Sequence, residues 1–153
     1  MDIRKALIED VGELVKIRLA YLEEDFELTE EQNSAIRAQL PEYFVNHIGK
    51  DLNAYVAIDN KEIVSSVFLL IIEKPANPHF ITGKTGTILN VYTKPEYRRR
   101  GLAGQLLRMA MEDAKAMQLS YLELNATDQG YPLYKKLGFE EAKQRCVTMK
   151  YIL

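Results

Sequence analysis

The spacing of apolar and polar positions changes several times along the 153-residue chain, and each change predicts an element. Ile3-Arg4-Lys5-Ala6 reads as a short strand. From about Glu9 to Glu23, with Leu7 just ahead, Val11, Leu14, Ile17 and Leu22 recur at helical spacing. Thr29-Glu30-Glu31-Gln32 carries a capping-box pattern before Ile36, Leu40, Phe44 and Ile48, which continue at four-residue steps to a turn at Gly49. Pro41 is placed to kink or split that second helix. Residues 54–58 and 63–72, rich in β-branched side chains and separated by Asp59-Asn60-Lys61, predict a β-hairpin. Lys74-Pro75-Ala76-Asn77-Pro78 marks a loop, and residues 86–92 predict another strand that ends before Pro95.

Leu102, Leu106, Ala110, Ala114 and Met117 then form one apolar stripe, with Gln105, Arg108, Glu112 and Lys115 opposite, the pattern of a helix packed on a sheet. Residues 121–124 predict a strand, residues 131–137 a short helix ended by Gly138, and residues 139–153 a final pair of strands. This order predicts an α/β (α+β) fold: a single domain over residues 1–153, with a mixed, largely antiparallel central sheet flanked by helices. The strand, helix and strand over residues 91–124 predict a right-handed parallel crossover.

Composition narrows the partners. A chain of this length buries roughly 70% of its unfolded surface in one domain, and 47% hydrophobic with 27% charged residues is ordinary for a globular protein. A formal net charge of -2 gives the whole chain no attraction to nucleic acid or to an anionic membrane, so neither is an expected partner and any basic site must be local. Cys146 is the only cysteine, which excludes an internal disulfide and a zinc site built on several thiolates; it is expected to be a small buried hydrophobe within a strand. No apolar run approaches a membrane span, Met1-Asp2-Ile3-Arg4-Lys5 lacks a signal peptide's apolar stretch, and a cytoplasmic location is expected. His47 and His79 have no partners at metal-ligand spacing, so no metal is expected. Gly83-Lys84-Thr85 imitates the end of a P-loop, but Pro78 stands where that motif's first glycine belongs and a strand follows.

The chemistry concentrates in Pro95-Glu96-Tyr97-Arg98-Arg99-Arg100-Gly101-Leu102-Ala103-Gly104. A helix N-terminus exposes unpaired N–H groups and positive partial charge, so arginines there are favourable when an anion joins them. Gly101 and Gly104 let a ligand approach the backbone, which suits a phosphate cradle and above all a pyrophosphate. A solvated basic turn with a cap glycine is the other reading of these residues.

The stretch Asn90-Val91-Tyr92-Thr93-Lys94-Pro95-Glu96-Tyr97-Arg98-Arg99-Arg100-Gly101-Leu102-Ala103 resembles the central motif of the GCN5-related N-acetyltransferases (GNAT), (Gln or Arg)-x-x-Gly-x-(Gly or Ala), matching it at Arg98, Gly101 and Ala103. Pro132-Leu133-Tyr134-Lys135-Lys136-Leu137-Gly138-Phe139 is similar to the family's other motif, and the order of elements resembles the family over nearly the whole chain. The resemblance implies acetyl-coenzyme A as acetyl donor. Its pyrophosphate would be held around Arg98, Arg99, Arg100, Gly101, Leu102, Ala103, Gly104 and Gln105, chiefly by the amides from about Arg99 to Gly104. The backbone of Val91 and Tyr92 would pair with the pantetheine arm as an added strand, a mode that needs a bulge, and Asn90 is placed to mark it. Where the family often has Asn and, three residues later, Ala, this chain has Thr127 and Gly130; Thr127 keeps a hydroxyl able to donate to the same arm.

Acyl transfer to an amine needs the neutral amine, and deprotonating a lysine-like amine at pH 7 costs about 4.6 kcal/mol. The family commonly uses a glutamate on the central strand or an ordered water. Ile88, Leu89, Val91 and Tyr92 offer no carboxylate, which leaves an ordered water as the expected base and Glu73 or Asp128 as distant candidates. Tyr134 matches the family's tyrosine that assists the departing thiolate; full proton transfer from a phenol to a thiolate is uphill by about 2 kcal/mol, so a hydrogen bond is the expected help. A backbone N–H near Val91 or Tyr92 is the expected oxyanion donor. Glu23, Glu24, Asp25, Glu27, Glu30 and Glu31 border the region where relatives place the acceptor and would attract a cationic amine. The expected activity is acetyl transfer to a primary amine, of a small molecule or else of a peptide or protein, in a chain that could pair as a homodimer. A coenzyme A-binding sensor without turnover is the alternative.

Overall fold

Hydrophobic residues on both faces of one sheet organise the chain, and the computed structural model describes residues 1–153. Strand β1 (Asp2–Lys5) is followed by a short 3-10 turn, helix α1 (Val11–Asp25) and helix α2 (Glu30–His47). Strands β2 (Leu52–Asp59), β3 (Glu62–Glu73) and β4 (Lys84–Thr93) come next, then helix α3 (Leu102–Ala116), strand β5 (Leu122–Glu123) and helix α4 (Tyr131–Leu137). The five strands lie side by side in chain order; the first four are antiparallel and β5 runs parallel to β4, as the strand-helix-strand pattern requires.

Local chemistry accounts for the boundaries. Thr29 caps α2: its hydroxyl accepts from the Gln32 N–H at 3.1 Å, and the Gln32 side chain accepts from the Thr29 N–H at 3.0 Å. The helix then runs unbroken through Pro41. Asn60 and Lys61 both take positive φ, 48° and 65°, between paired Asp59 and Glu62, the geometry of the two-residue hairpin turn that suits strand twist.

Period-two alternation sends side chains to opposite faces. Ala54, Val56, Ile63 and Phe68 meet Leu14, Ile17, Leu40 and Phe44 of α1 and α2. Tyr55, Val67, Leu69 and Ile88 meet Leu106, Leu107, Ala110 and Ala114 of α3, together with Tyr134 of α4. Because both faces are covered, residues 63–69 are buried without interruption. One polar link crosses the second layer: the fully buried Tyr55 donates its hydroxyl to Asp113 at 2.7 Å, and Lys5 pairs with the same carboxylate at 2.6 Å.

Two expectations fail at the C-terminal end. Residues 139–153 form no strand, and Cys146 is exposed, not buried. A pair of strands needs a tight turn between them, and residues 139–153 contain no glycine, proline, asparagine or aspartate to make one. The segment has the composition of β-structure without the means to fold back on itself.

Burial alone would raise the Asp113 carboxyl, but hydrogen bonds from Lys5 and Tyr55 outweigh it and hold the group below its ordinary value. A depressed folded-state value contributes stability above the unfolded value, lost as pH falls through the folded one. Tyr55→Phe is therefore expected to lower unfolding free energy by about 1–2 kcal/mol at neutral pH. The difference from wild type should narrow below about pH 4, as read by urea denaturation at several pH values.

Candidate active site

Strands β4 and β5 stay together only at Gly86 with Leu122 and Thr87 with Glu123. Beyond that point β4 continues to Thr93 with no strand beside it on that edge, which opens a cleft between the two. On its other edge β4 slips register against β3: Leu89 faces Phe68 and Tyr92 faces Ser66, so Asn90 and Val91 together stand opposite Val67. This is a β-bulge at the place the sequence marks, with Asn90 at φ 51°. The Asn90 side chain is turned inward. Its Nδ2 donates to Ser66 Oγ at 3.0 Å, Ser66 Oγ donates to the Asn90 carbonyl at 3.0 Å, and Arg18 Nη1 donates to Asn90 Oδ1 at 3.1 Å. Asn90 thus shapes the edge, and its side chain is committed to the protein. Val91 and Tyr92 are half-buried where β4 lies open.

At the end of β4 the chain passes through a 3-10 turn at Pro95–Tyr97 and enters α3 through Arg99 at φ 63° and Gly101 at φ 76°. The backbone N–H groups of residues 99–104 find no acceptor in the protein; the first amide used is that of Gln105, which donates to the Gly101 carbonyl at 3.1 Å. Unpaired donors of this kind call for water or a ligand as acceptor. No atom lies within 4 Å of where a Cβ on Gly101 would stand, so its backbone is open to approach.

The three arginines divide. The Arg98 N–H donates to the Pro95 carbonyl at 3.3 Å, its Nε to the Thr93 carbonyl at 2.8 Å, and its Nη2 to both Glu24 oxygens at 2.9 and 2.7 Å. Arg98 therefore ties the turn to α1, and of its guanidinium nitrogens only Nη1 is without a partner in the protein. Arg100 donates to the Glu96 carbonyl at 3.1 Å and lies over the Tyr97 ring, whereas Arg99 is exposed with no carboxylate partner. Ala103 is half-buried and Gln105 exposed on the first turn of α3.

Tyr134 lies on α4, 8% exposed, and its hydroxyl has no protein partner although it is not sealed from solvent. Burial pushes its phenol up, with nearby Tyr21 adding to the shift, so the hydroxyl stays protonated. Gly130 explains its seat: a Cβ there would stand 2.8 Å from Tyr134 Cε2 and 3.2 Å from its oxygen. Thr127 Oγ1 accepts from the Gly130 N–H at 3.1 Å, which sets the loop before α4 and leaves the threonine O–H free to donate.

Sequence reasoning did not single out Arg18. It is half-buried, forms no ion pair, and its guanidinium lies 5.5 Å from the Tyr21 ring centroid, beside Tyr43. Burial lowers its pKa. A cation held this way beside the bulge can receive an anionic group. Its only signal was its position between buried Ile17 and Leu19, weak in a helix whose neighbouring positions are also half-exposed. The acidic stretch is partly neutralised: Glu24 pairs with Arg98 and Glu23 with Arg37 at 3.5 Å. The Arg98 guanidinium holds the Glu24 carboxyl below its ordinary value, which makes it a poor base. Glu73 and Asp128 are exposed. Lys84 and Thr85 begin β4, so the P-loop imitation leads into a strand.

The acetyltransferase (GNAT) domain family matches residues 50–141. The chain is 30% identical over 152 residues to an N-alpha-acetyltransferase of Sulfurisphaera tokodaii, covering 92% of this chain and 81% of that protein. It is 28% identical over 153 residues to an N-alpha-acetyltransferase of Saccharolobus solfataricus, with the same two shares. The crystal structure of a predicted acetyltransferase with acetyl-CoA from Clostridium acetobutylicum superposes with a TM-score of 0.85 at 30% identity, covering 97% of this chain and 95% of that one.

The bulge can be tested apart from any ligand. Asn90→Ala loses the side-chain hydrogen bonds and strains the positive φ, whereas Asn90→Gly loses only the hydrogen bonds. Both variants are expected to be destabilised, alanine by about 1 kcal/mol more than glycine, as measured by chemical denaturation.

Proposed function

The chain belongs to the GNAT family and is an N-acetyltransferase, and from that premise we propose that residues 1–153 form one domain that moves the acetyl group of acetyl-coenzyme A directly to a primary amine in a ternary complex. The observation that carries this reading is the run of backbone N–H groups from residue 99 to residue 104 without a protein acceptor, at the mouth of the cleft where β4 leaves β5. Consecutive amides at a helix N-terminus fit a pyrophosphate in number, direction and sign of charge.

Each part of the site then has a task. Arg99, Arg100, Gly101, Leu102, Ala103, Gly104 and Gln105 form the cradle, with Arg99 free to add charge, while Arg98 fixes the turn against Glu24. The open edge at Val91 and Tyr92 offers main-chain groups to the pantetheine arm, held outward by the Asn90 bulge. Thr127 retains a donor toward the same arm. Acetyl-coenzyme A supplies the acetyl thioester. Tyr134, kept protonated by its burial, donates a hydrogen bond to the departing thiolate, and an N–H near Val91 or Tyr92 stabilises the oxyanion. No carboxylate on β4 is placed to accept the amine's proton, so an ordered water takes it.

Arg18 supports an acceptor that carries a carboxylate near its amine, a small amino compound above all. The α-amine of a peptide is the second reading, favoured by the similarity to N-alpha-acetyltransferases.

Calorimetric titration with acetyl-coenzyme A is expected to give selective binding that Gly101→Asp abolishes, since the substitution puts a negative charge in the open cradle; unchanged affinity would reject the cradle. Tyr134→Phe is expected to keep coenzyme affinity and lower the acyl-transfer rate by about 10-fold or more. Equal rates would leave Tyr134 a packing role only.

A further inference from the structure

Residues 147–153 are an apolar run outside every core cluster. Val147, Met149, Tyr151, Ile152 and Leu153 are 86%, 88%, 88%, 83% and 112% exposed, and every residue from Glu140 onward is exposed. The run alternates, with Val147, Met149, Tyr151 and Leu153 on one side and Cys146, Thr148, Lys150 and Ile152 on the other, the period of a strand. Such a surface is rarely left in water by a monomer.

The same chain carries an unpaired acceptor for a strand. β5 ends the sheet, and its edge away from β4 has no neighbour. Beside it lies an open groove of about 410 Å³, lined in part by Met111, Ala114, Leu119, Tyr121, Leu122 and Phe139. Within its own chain the run stays clear of that edge: residues 139–153 pair with no strand.

We propose that residues 147–153 of one copy add to the β5 edge of a second copy and lay their apolar side chains into its groove, reciprocally, in a closed two-fold dimer. Each copy provides both a strand and an edge, so one contact satisfies both surfaces and the assembly closes. Charge agrees: residues 147–153 carry Lys150 and no acid, and at the edge they would join Glu123 and Glu140 outnumber Lys115. Area agrees as well. Val147, Met149, Tyr151 and Leu153 of each copy, at on the order of 60–120 Å² each, together with the comparable area of groove they cover, remove on the order of 1,000–2,000 Å² from water in the pair, the scale of a stable interface.

Light scattering of the full chain over a wide dilution series is expected to give twice the 17.6 kDa chain mass, and the double variant Met149→Asp/Tyr151→Asp a single chain mass. A chain lacking residues 147–153 should also be monomeric, and should bind an added peptide of residues 147–153 one to one. The intact dimer should not bind that peptide. Amides of residues 147–153 should exchange slowly in the dimer and rapidly once dilution dissociates it. A wild-type monomer at the highest concentration overturns the proposal, whether its tail amides exchange fast or stay slow by pairing within one chain. A dimer that survives both the double substitution and the removal of the tail also overturns it, because another face then holds the copies together.

Discussion

Two neighbouring strands that can share only two residue pairs are the constraint on which the rest of this structure depends. β4 is committed to β3 along nearly its whole length, and its bulge at Asn90 turns the second half away from β5. Such a distortion persists only if the surrounding structure over-determines it. Here Ser66 binds both the side chain and the carbonyl of Asn90, and Arg18 reaches across from α1 to complete the clamp. The cleft is therefore built from the core outward. Helices α1 and α2 on one face and α3 on the other hold β3 and β4 between them, and the bulge converts that rigidity into a half-free strand edge.

The second requirement is that donors gather where the strand edge ends. β4 delivers the chain into α3 through two residues of positive φ, and the turn is braced from outside by Arg98 on Glu24. A basic sequence at a helix N-terminus is electrostatically unfavourable by itself. The structure answers this by pairing Arg98 with a carboxylate and Arg100 with a carbonyl, while the amides of residues 99–104 keep no partner in the protein. The positive character of the site is thus mostly main-chain, and it does not vary with side-chain rotamers.

Much of this was legible in the sequence. Hydrophobic periodicity placed the helices and the hairpin, and the glycine spacing pointed at the start of α3, because those features report local geometry that neighbouring residues determine. The bulge at Asn90 was expected only through the family resemblance, whose added-strand mode needs one. What escaped was non-local. Arg18 lies seventy-two positions from its partner Asn90, and nothing in its helix distinguishes it from a solvated arginine. The pairing of Arg98 with Glu24, seventy-four positions away, was equally invisible from the neighbouring residues. The C-terminal segment misled in the opposite sense: its composition spoke correctly for strand, but pairing depends on a turn that the segment lacks and on a partner edge that composition cannot specify.

The contact between Gly130 and Tyr134 has an implication for how this site can change. Because the phenol ring rests against bare backbone, position 130 acts as a stop that sets the depth of the hydroxyl in the cleft. A methyl group there would shift the ring by roughly the amount that separates a usable hydrogen-bond donor from a misplaced one. Positions 130 and 134 therefore form one unit of variation. A chain that gains a side chain at 130 must reseat its tyrosine by moving the helix that carries it, so the angle of α4 and the residue at 130 should change together.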